Sequence, residues 1–338
     1  MLTILATIFV FGIIVFIHEF GHFITAKASG MRVDEFAIGF GPALVKKQKG
    51  ETLYSIRAIP LGGYNKIAGM MPDEELDDRS FLNKPVWKRF IVIFAGAFFN
   101  FLLAIVIFFG VFVTYGQQTP STEPVIGRIV NDSPAVAAHL EMNDRITTIN
   151  GKAVKEWSDI TTLLKGTENT VVTMMVERQG ELKEVSIIPT AASNGRAIIG
   201  INPQINSTPY SIGDAATLSV TATLAILKEM VNTLWLMITG QMAAQVSGPI
   251  GVAQAAGEMA QFGFVYLLNF TAILSLNLGV INLLPVPALD GGHLILLIIE
   301  GITRRRMPPK ALQYIQMTGV ILLIALFIYA TTHDISRL

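Results

Sequence analysis

The sequence predicts an α-helical integral membrane protein of about four transmembrane helices, with a membrane-associated β-hairpin and one small α+β domain inserted on the extracytoplasmic side. Three observations carry this. Of the 338 residues 51% are hydrophobic and only 15% charged, and the mean hydropathy is +0.53, too apolar and charge-poor for a soluble enzyme of this length. Crossing hydrocarbon takes roughly 20 apolar residues, and four stretches meet that need, about 3–25, 90–115, 264–286 and 312–331. Between the second and third, the composition changes to short β-type runs separated by turn signals.

Basic residues orient the spans. Lys27, Arg32, Lys46, Lys47 and Lys49 follow the first run, which puts the N-terminus outside and residue 27 onward in the cytoplasm. Ala26-Lys27-Ala28 superficially resembles a signal-peptide cleavage site, but the run has no basic start and carries polar residues where such a leader is purely apolar. Lys84, Lys88 and Arg89 precede the second span, and Arg304, Arg305, Arg306 and Lys310 the fourth. The path is therefore out-in, in-out, out-in, in-out.

Residues 50–70 (GETLYSIRAIPLGGYNKIAGM) read as a hairpin between the first two spans, and the acidic PDEELDD that follows as a solvated loop. Residues 213–246 are apolar enough for a fifth span but hold Lys228 and Glu229, and a fifth crossing would turn Arg304–Arg306 outward; helices lying at the outer interface are expected instead. From about 120 to 192 the runs VIGRIV, RITTIN, VVTMMVER and LKEVSIIP predict strands, with turns at Asn150-Gly151 and Gln179-Gly180 and a helix near 157–165. The segment SPAVAAHLEMNDRITTINGKAVKEW resembles the PDZ signature, with His139 and Asn143 where glycines are usual. A peptide could add as a strand beside Val125-Ile126-Gly127-Arg128; a folded spacer is the plainer alternative. The expected division is 1–118, 119–195 and 196–338.

A net charge of zero gives no basic field for nucleic acid, and the absence of cysteine excludes disulfides, thiolate metal sites and cysteine nucleophiles. The chemistry lies in IHEFGHF, residues 17–23. Residues four apart share a helix face, so His18 and His22 can aim at one zinc ion with Glu19 beside them as general base. Ionisable groups inside a span are costly and usually functional. Catalytic zinc wants a third protein ligand, and the candidates are Asp290, His293 and Glu300. Asp290 is favoured because Pro285 and Pro287 break the helix before it; a purely N-capping role is its alternative, and His293 is the second choice of ligand.

HEFGH, FAIGFGP, IPLGGY, SGPIG at 247–251 and NLLPVPALDGG together resemble the bacterial site-2 protease family, the RseP-type intramembrane metalloproteases, over nearly the whole chain. The resemblance implies that His18, His22 and Asp290 bind zinc and Glu19 activates water, in a multi-pass protein of the bacterial cytoplasmic membrane with its site near the cytoplasmic side. It implies a single-pass membrane substrate already shortened on its outer side, such as an anti-sigma factor or a leftover signal peptide. An outer gate against bulky outer domains is the expected role of the PDZ-like domain. This chain departs from the pattern in having one PDZ-like domain rather than two, and Asn65 and Ala97 where valine and proline are more usual.

A substrate helix must be unwound before it is cut, and its freed backbone groups need new partners. The expected partners are the 52–67 hairpin, with Tyr54, Ile56, Gly62 and Gly63, pairing as a strand, and Asn100 and Asn282, whose alternative role is hydrogen bonding between helices. Two non-proteolytic readings compete. A membrane adaptor with a structural metal would have no use for Glu19, and a transporter would spread its charges through the bilayer depth and show a repeat of spans, which this chain does not.

Overall fold

A computed structural model of the chain describes all residues except 71–75, 192–195, 243–247 and 337–338. Part of the acidic loop, the end of the 213–246 stretch and Ser247 thus lie outside the described residues. There are two compact units, one of residues 1–111 and 212–338, the other of residues 112–211. The described helices are α1 (Leu2–Ala28), α2 (Val86–Thr114), α3 (Pro134–Ala137), α4 (Trp157–Leu164), α5 (Ile212–Ile238), α6 (Pro249–Phe262), α7 (Phe264–Asn282), α8 (Asp290–Thr303) and α9 (Pro309–Ile335).

Five helices, α1, α2, α5, α7 and α9, are long and apolar enough to cross a membrane. Four match the expected spans. The fifth corrects the expectation of several interfacial helices over 213–246: no glycine or proline interrupts residues 214–239, so one unbroken 27-residue helix forms. It is the least apolar of the five. Helices α1 and α7 run in the same direction. Their early residues Ala6, Val10 and Leu267 share a cluster with Leu103 and Ala256, whereas Phe23 and Ala26 near the end of α1 pack with Val92, Ile93, Leu294 and Leu297.

Two long strands, β1 (Val33–Lys49) and β2 (Thr52–Ile67), form more than the expected hairpin. Residues 43–49 stand opposite 52–57, 53–56 lie alongside 35–38, and 33–38 stand opposite 63–67, so each strand is bent into two segments and the sheet is four segments wide. Gly39 allows the bend in β1: its φ is +88°, and a Cβ there would lie 2.6 Å from the Ile59 carbonyl oxygen. Tyr54 and Ile56 therefore occupy an interior segment with backbone neighbours on both sides, and Tyr54 packs on Phe23 and Phe36. They cannot offer an edge to a substrate strand; the segment holding Gly63 can. The far turn is tied down by Glu51, whose carboxyl is held at about 2, chiefly by hydrogen bonds from Arg79 and then from Lys27.

In the second unit, β3 (Gln117–Pro120) pairs with β12 (Ile205–Thr208), β4 (Ile126–Ile129) with β11 (Ile201–Pro203), and β9 (Thr190–Ala191) with β10 (Ala197–Ile198). The main sheet runs β6 (Lys152–Ala153), β5 (Arg145–Ile149), β7 (Val172–Arg178), β8 (Glu181–Ile187). The period-2 pattern of β7 is realised: Val172, Met174 and Val176 are fully buried beside Ile146 and Ile160. Asn150-Gly151 and Gln179-Gly180 each take two successive positive φ values, 47° and 74°, then 54° and 86°, the backbone of a tight hairpin turn. His139 (φ 55°) and Asn143 (φ 71°) keep the left-handed conformation that a glycine would adopt. The β3–β12 ladder makes the compact unit wider than residues 119–195. The strand start expected to receive a peptide is already occupied. Ile126 donates to the Asp144 carbonyl and accepts from the Asn143 amide, while β11 pairs along the other edge.

In the helical unit, fully buried Arg89 on α2 donates to both carboxylate oxygens of Glu300 on α8, at 2.9 and 2.7 Å, and to the Lys84 carbonyl at 3.0 Å. Glu300 is thereby withdrawn from the candidate metal ligands. Removing one partner of a buried pair strands the other, so Arg89→Ala should destabilise the protein by about 3 kcal/mol. The check is thermal unfolding in detergent, with Lys88→Ala as the nearby control that shifts little.

Candidate metal centre

His18 and His22 lie in successive turns of α1, both buried. Their rings rest against the backbone of α2 at Gly96, where a Cβ would sit 2.3 Å from His22 Nε2 and 2.7 Å from His18 Cε1. Between the two histidines in α1, a Cβ on Gly21 would lie 2.6 Å from the Ala95 carbonyl oxygen. Only glycine at these positions lets the two helices come this close.

Asp290 arrives from the other side. After α7 the chain turns through LLPVPAL with Ala288 at φ 72°. The loop then folds onto its own carbonyls: a Cβ on Gly291 would lie 2.2 Å from Leu284 O, and one on Gly292 2.5 Å from Val286 O. The loop also backs onto α9, where a Cβ on Gly319 would lie 2.1 Å from Pro287 O. The capping position of α8 is Leu289, with no side-chain cap bond. Asp290 is thus the first helical residue, its carboxylate facing the histidines rather than serving as the cap.

The three donor atoms form a nearly equilateral triangle. His18 Nε2 and His22 Nε2 are 3.3 Å apart, and each is 3.4 Å from Asp290 Oδ2. Two nitrogens and one oxygen at about 2.0–2.2 Å from a tetrahedral zinc ion would be about 3.3–3.5 Å from one another. Asp290 Oδ2 is buried with no hydrogen-bond donor, so the donor set fits zinc in number, chemistry and spacing. His293, the second choice of ligand, does not join this group; it lines an apolar cavity with Pro285, Pro287 and Leu296.

Neighbouring groups set the ring orientations. His22 Nδ1–H donates to the Val92 carbonyl at 2.8 Å, leaving Nε2 as the free lone pair. His18 Nδ1 faces the Asn100 side-chain amide at 3.3 Å, while Asn100 Oδ1 is buried without a partner. Turning the amide by half a rotation satisfies both atoms, with Oδ1 accepting from His18 Nδ1–H. Asn100 is fully buried behind His18, which removes it from the expected substrate-binding set. Asn282 is different: it is partly buried, with Nδ2 3.4 Å from His18 Nε2 at the border of the triangle. Asn65 Nδ2 donates to Glu19 Oε2 at 2.7 Å and to Glu19 O at 2.8 Å. Gly63, two residues earlier on the same strand, leaves room for the Glu19 side chain: a Cβ would fall 2.8 Å from its Cγ.

Reading the sequence for ligands missed Gly96 and the roles of Asn65 and Asn100. The spacing in GAFFN held a signal, since Gly96 and Asn100 are four apart and share the face of α2 turned to α1. Gly96→Ala should cut bound zinc well below one per chain while leaving helix content unchanged. Metal analysis and circular dichroism of the purified protein measure both.

Residues 6–326 match the model of Peptidase family M50. Curated relatives include "Regulator of sigma-W protease RasP" of Bacillus subtilis, 30% identical over 418 aligned positions and covering 99% of each chain. "Zinc metalloprotease RasP" of Oceanobacillus iheyensis is 30% identical over 427 positions and covers 100% of each. Among solved structures, the PDZ domain of an SdrC-like protein from Listeria monocytogenes is 22% identical, covering 25% of this chain and 87% of that domain with a TM-score of 0.22. By the family match and these full-length relatives, the chain belongs to peptidase family M50, the site-2 proteases, and is a zinc-dependent metalloprotease of the membrane.

Proposed function

We propose that the protein is an intramembrane endopeptidase that hydrolyses peptide bonds within the transmembrane segment of single-pass membrane proteins, with His18, His22 and Asp290 as its zinc ligands. The observation that carries this is the depth of the donor triangle. His18 is about 25 Å along a membrane-length helix at roughly 1.5 Å per residue, so the groups that cut lie where only an embedded or membrane-dipping segment can reach. Substrates of the anti-sigma-factor or leftover signal-peptide kind, already trimmed outside, fit such a site, and the sigma-W role in the name of the B. subtilis relative supports the first kind.

When bound, zinc supplies a Lewis acid that lowers the pKa of water from 15.7 to about 7 and polarises the scissile carbonyl. Glu19 takes the proton of the attacking water and delivers it to the leaving amine. Asn282, bordering the triangle, donates its amide hydrogen to a main-chain oxygen of the substrate. The segment 62–67 is the outer edge of the four-segment sheet and carries Gly63 and Asn65 beside Glu19. An unwound substrate adding there as a further strand regains the backbone hydrogen bonds it lost.

The shared direction of α1 and α7 supports four crossings, with α1 and α7 running outside to inside and α2 and α9 returning. α6 stays at the outer end: a Cβ on its Gly257 would lie 2.5 Å from Thr3 at the start of α1, and Gly248 and Gly251 donate to Asp334 at the end of α9. α5 then begins and ends on the outer side, in a bacterial cytoplasmic membrane with the site toward the cytoplasm. The PDZ-like unit is extracytoplasmic and acts as a gate against bulky outer domains.

Glu19→Gln should retain about one zinc per chain and lose cleavage of a model single-pass helix by at least 100-fold, the order of effect expected on removing a general base. Zinc content without any turnover in the wild type would remove the protease reading. Replacing residues 121–204 by a short linker, which keeps the β3–β12 ladder, should admit untrimmed substrates; unchanged selectivity in that cleavage assay would remove the gate.

A further inference from the structure

The amide of Asn65 faces two ways. Its nitrogen donates to Glu19 Oε2 and to the Glu19 carbonyl, at 2.7 and 2.8 Å. Both partners only accept, so the amide cannot be turned, and the position of Oδ1 follows. Oδ1 is buried and has no donor. A buried acceptor left without a partner is costly. Asn65 also lies opposite Phe36 on the outermost segment of the sheet, with the neighbouring segment on one side only.

We infer that Asn65 is a positioning residue that joins the bound substrate strand to the general base: Nδ2 fixes the direction of the Glu19 carboxylate, and Oδ1 accepts a main-chain N–H of the substrate near the bond to be cut. This rests on the proposed proteolysis at the same site. A valine or alanine at position 65 could make neither contact. In this chain the carboxylate beside His18 is held by the strand edge itself. A substrate that seats fully on that edge satisfies Oδ1 and so stiffens the same amide that aims Glu19. One that seats out of register leaves Oδ1 unpaired. Docking and alignment of the base are thereby coupled through one side chain.

The test uses full-length protein in detergent with a model single-pass substrate and a series of analogues. In each analogue one main-chain N–H near the cut, other than that of the scissile bond, is replaced by an ester oxygen. Asn65→Ala should keep wild-type zinc content and melting temperature, and Asn65→Asp wild-type zinc content. Both should lower kcat by on the order of tenfold or more, as expected for losing a hydrogen bond to a charged group. The Asp variant retains the acceptor but replaces the neutral amide donor by a second carboxyl, which at this distance shares one proton with Glu19 and so lowers its competence as a base. In the wild type one ester position should weaken binding severalfold, read as KM and as Kd on Glu19→Gln protein, and that penalty should vanish in Asn65→Ala but persist in Asn65→Asp. Wild-type kcat in either variant overturns the positioning role. An ester penalty unaffected by Asn65→Ala overturns the substrate contact. A wild type that neither binds nor cuts any analogue overturns this inference together with the protease reading, whereas normal wild-type turnover with unaltered variants overturns this inference alone.

Discussion

The backbone contact between α1 and α2 is what the metal centre depends on. Gly21 meets the Ala95 carbonyl and Gly96 meets the two imidazoles, with no room for a methyl group at either place. In a bilayer no hydrophobic drive pulls helices together, so such contacts arise where small residues let backbones approach. Helix α2 uses the same device on its other neighbour. Gly279 of α7 sits where a Cβ would be 2.5 Å from Phe101 and 3.2 Å from the Ala97 carbonyl oxygen. One helix thus seats both the histidines and the segment that leads to Asp290, and its first turn is anchored to α8 through Arg89.

The polar groups around the triangle obey a stricter rule than in a soluble enzyme, because water is scarce and a group without a partner is costly. Val92 and Asn100 stand behind the histidines, Asn65 behind Glu19, and Ser275 of α7 donates to the Asn100 carbonyl at 2.9 Å. These contacts tie four elements to one small volume. They orient the donor lone pairs before any ion arrives, which is how supporting hydrogen bonds strengthen a metal site.

Much of this was legible in the sequence because it follows from short-range geometry. The i, i+4 spacing put His18 and His22 on one face, and Pro285 and Pro287 announced a fixed turn before Asp290. The hairpin turns at Asn150-Gly151 and Gln179-Gly180 were readable from residue type. What escaped depends on long-range packing. Residues 50–70 read as a simple hairpin, and only the longer strands and the bends at Gly39 and beyond make Tyr54 and Ile56 interior and residues 62–67 the edge. Asn100 and Asn282 look alike as single polar residues in apolar spans, yet one is sealed behind His18 and the other borders the donor triangle. Asn65 drew notice only as a departure from the usual valine, since its partner is 46 residues away. For α5, composition measured length and apolarity but held no record of where its ends are tethered.

Ala288, two residues before Asp290, is held in a left-handed backbone conformation at φ 72°. For a residue with a side chain this costs about 1–2 kcal/mol, and the surrounding packing must sustain it. A glycine would relieve the cost but would let the loop sample other paths. With alanine, once the turn closes against Gly319, the approach of the carboxylate is set by backbone geometry alone. Part of the affinity for zinc is therefore a property of folding, and a destabilising change far from the ligands, on α9 for example, would surface as leakiness toward the metal before it surfaced as loss of the fold.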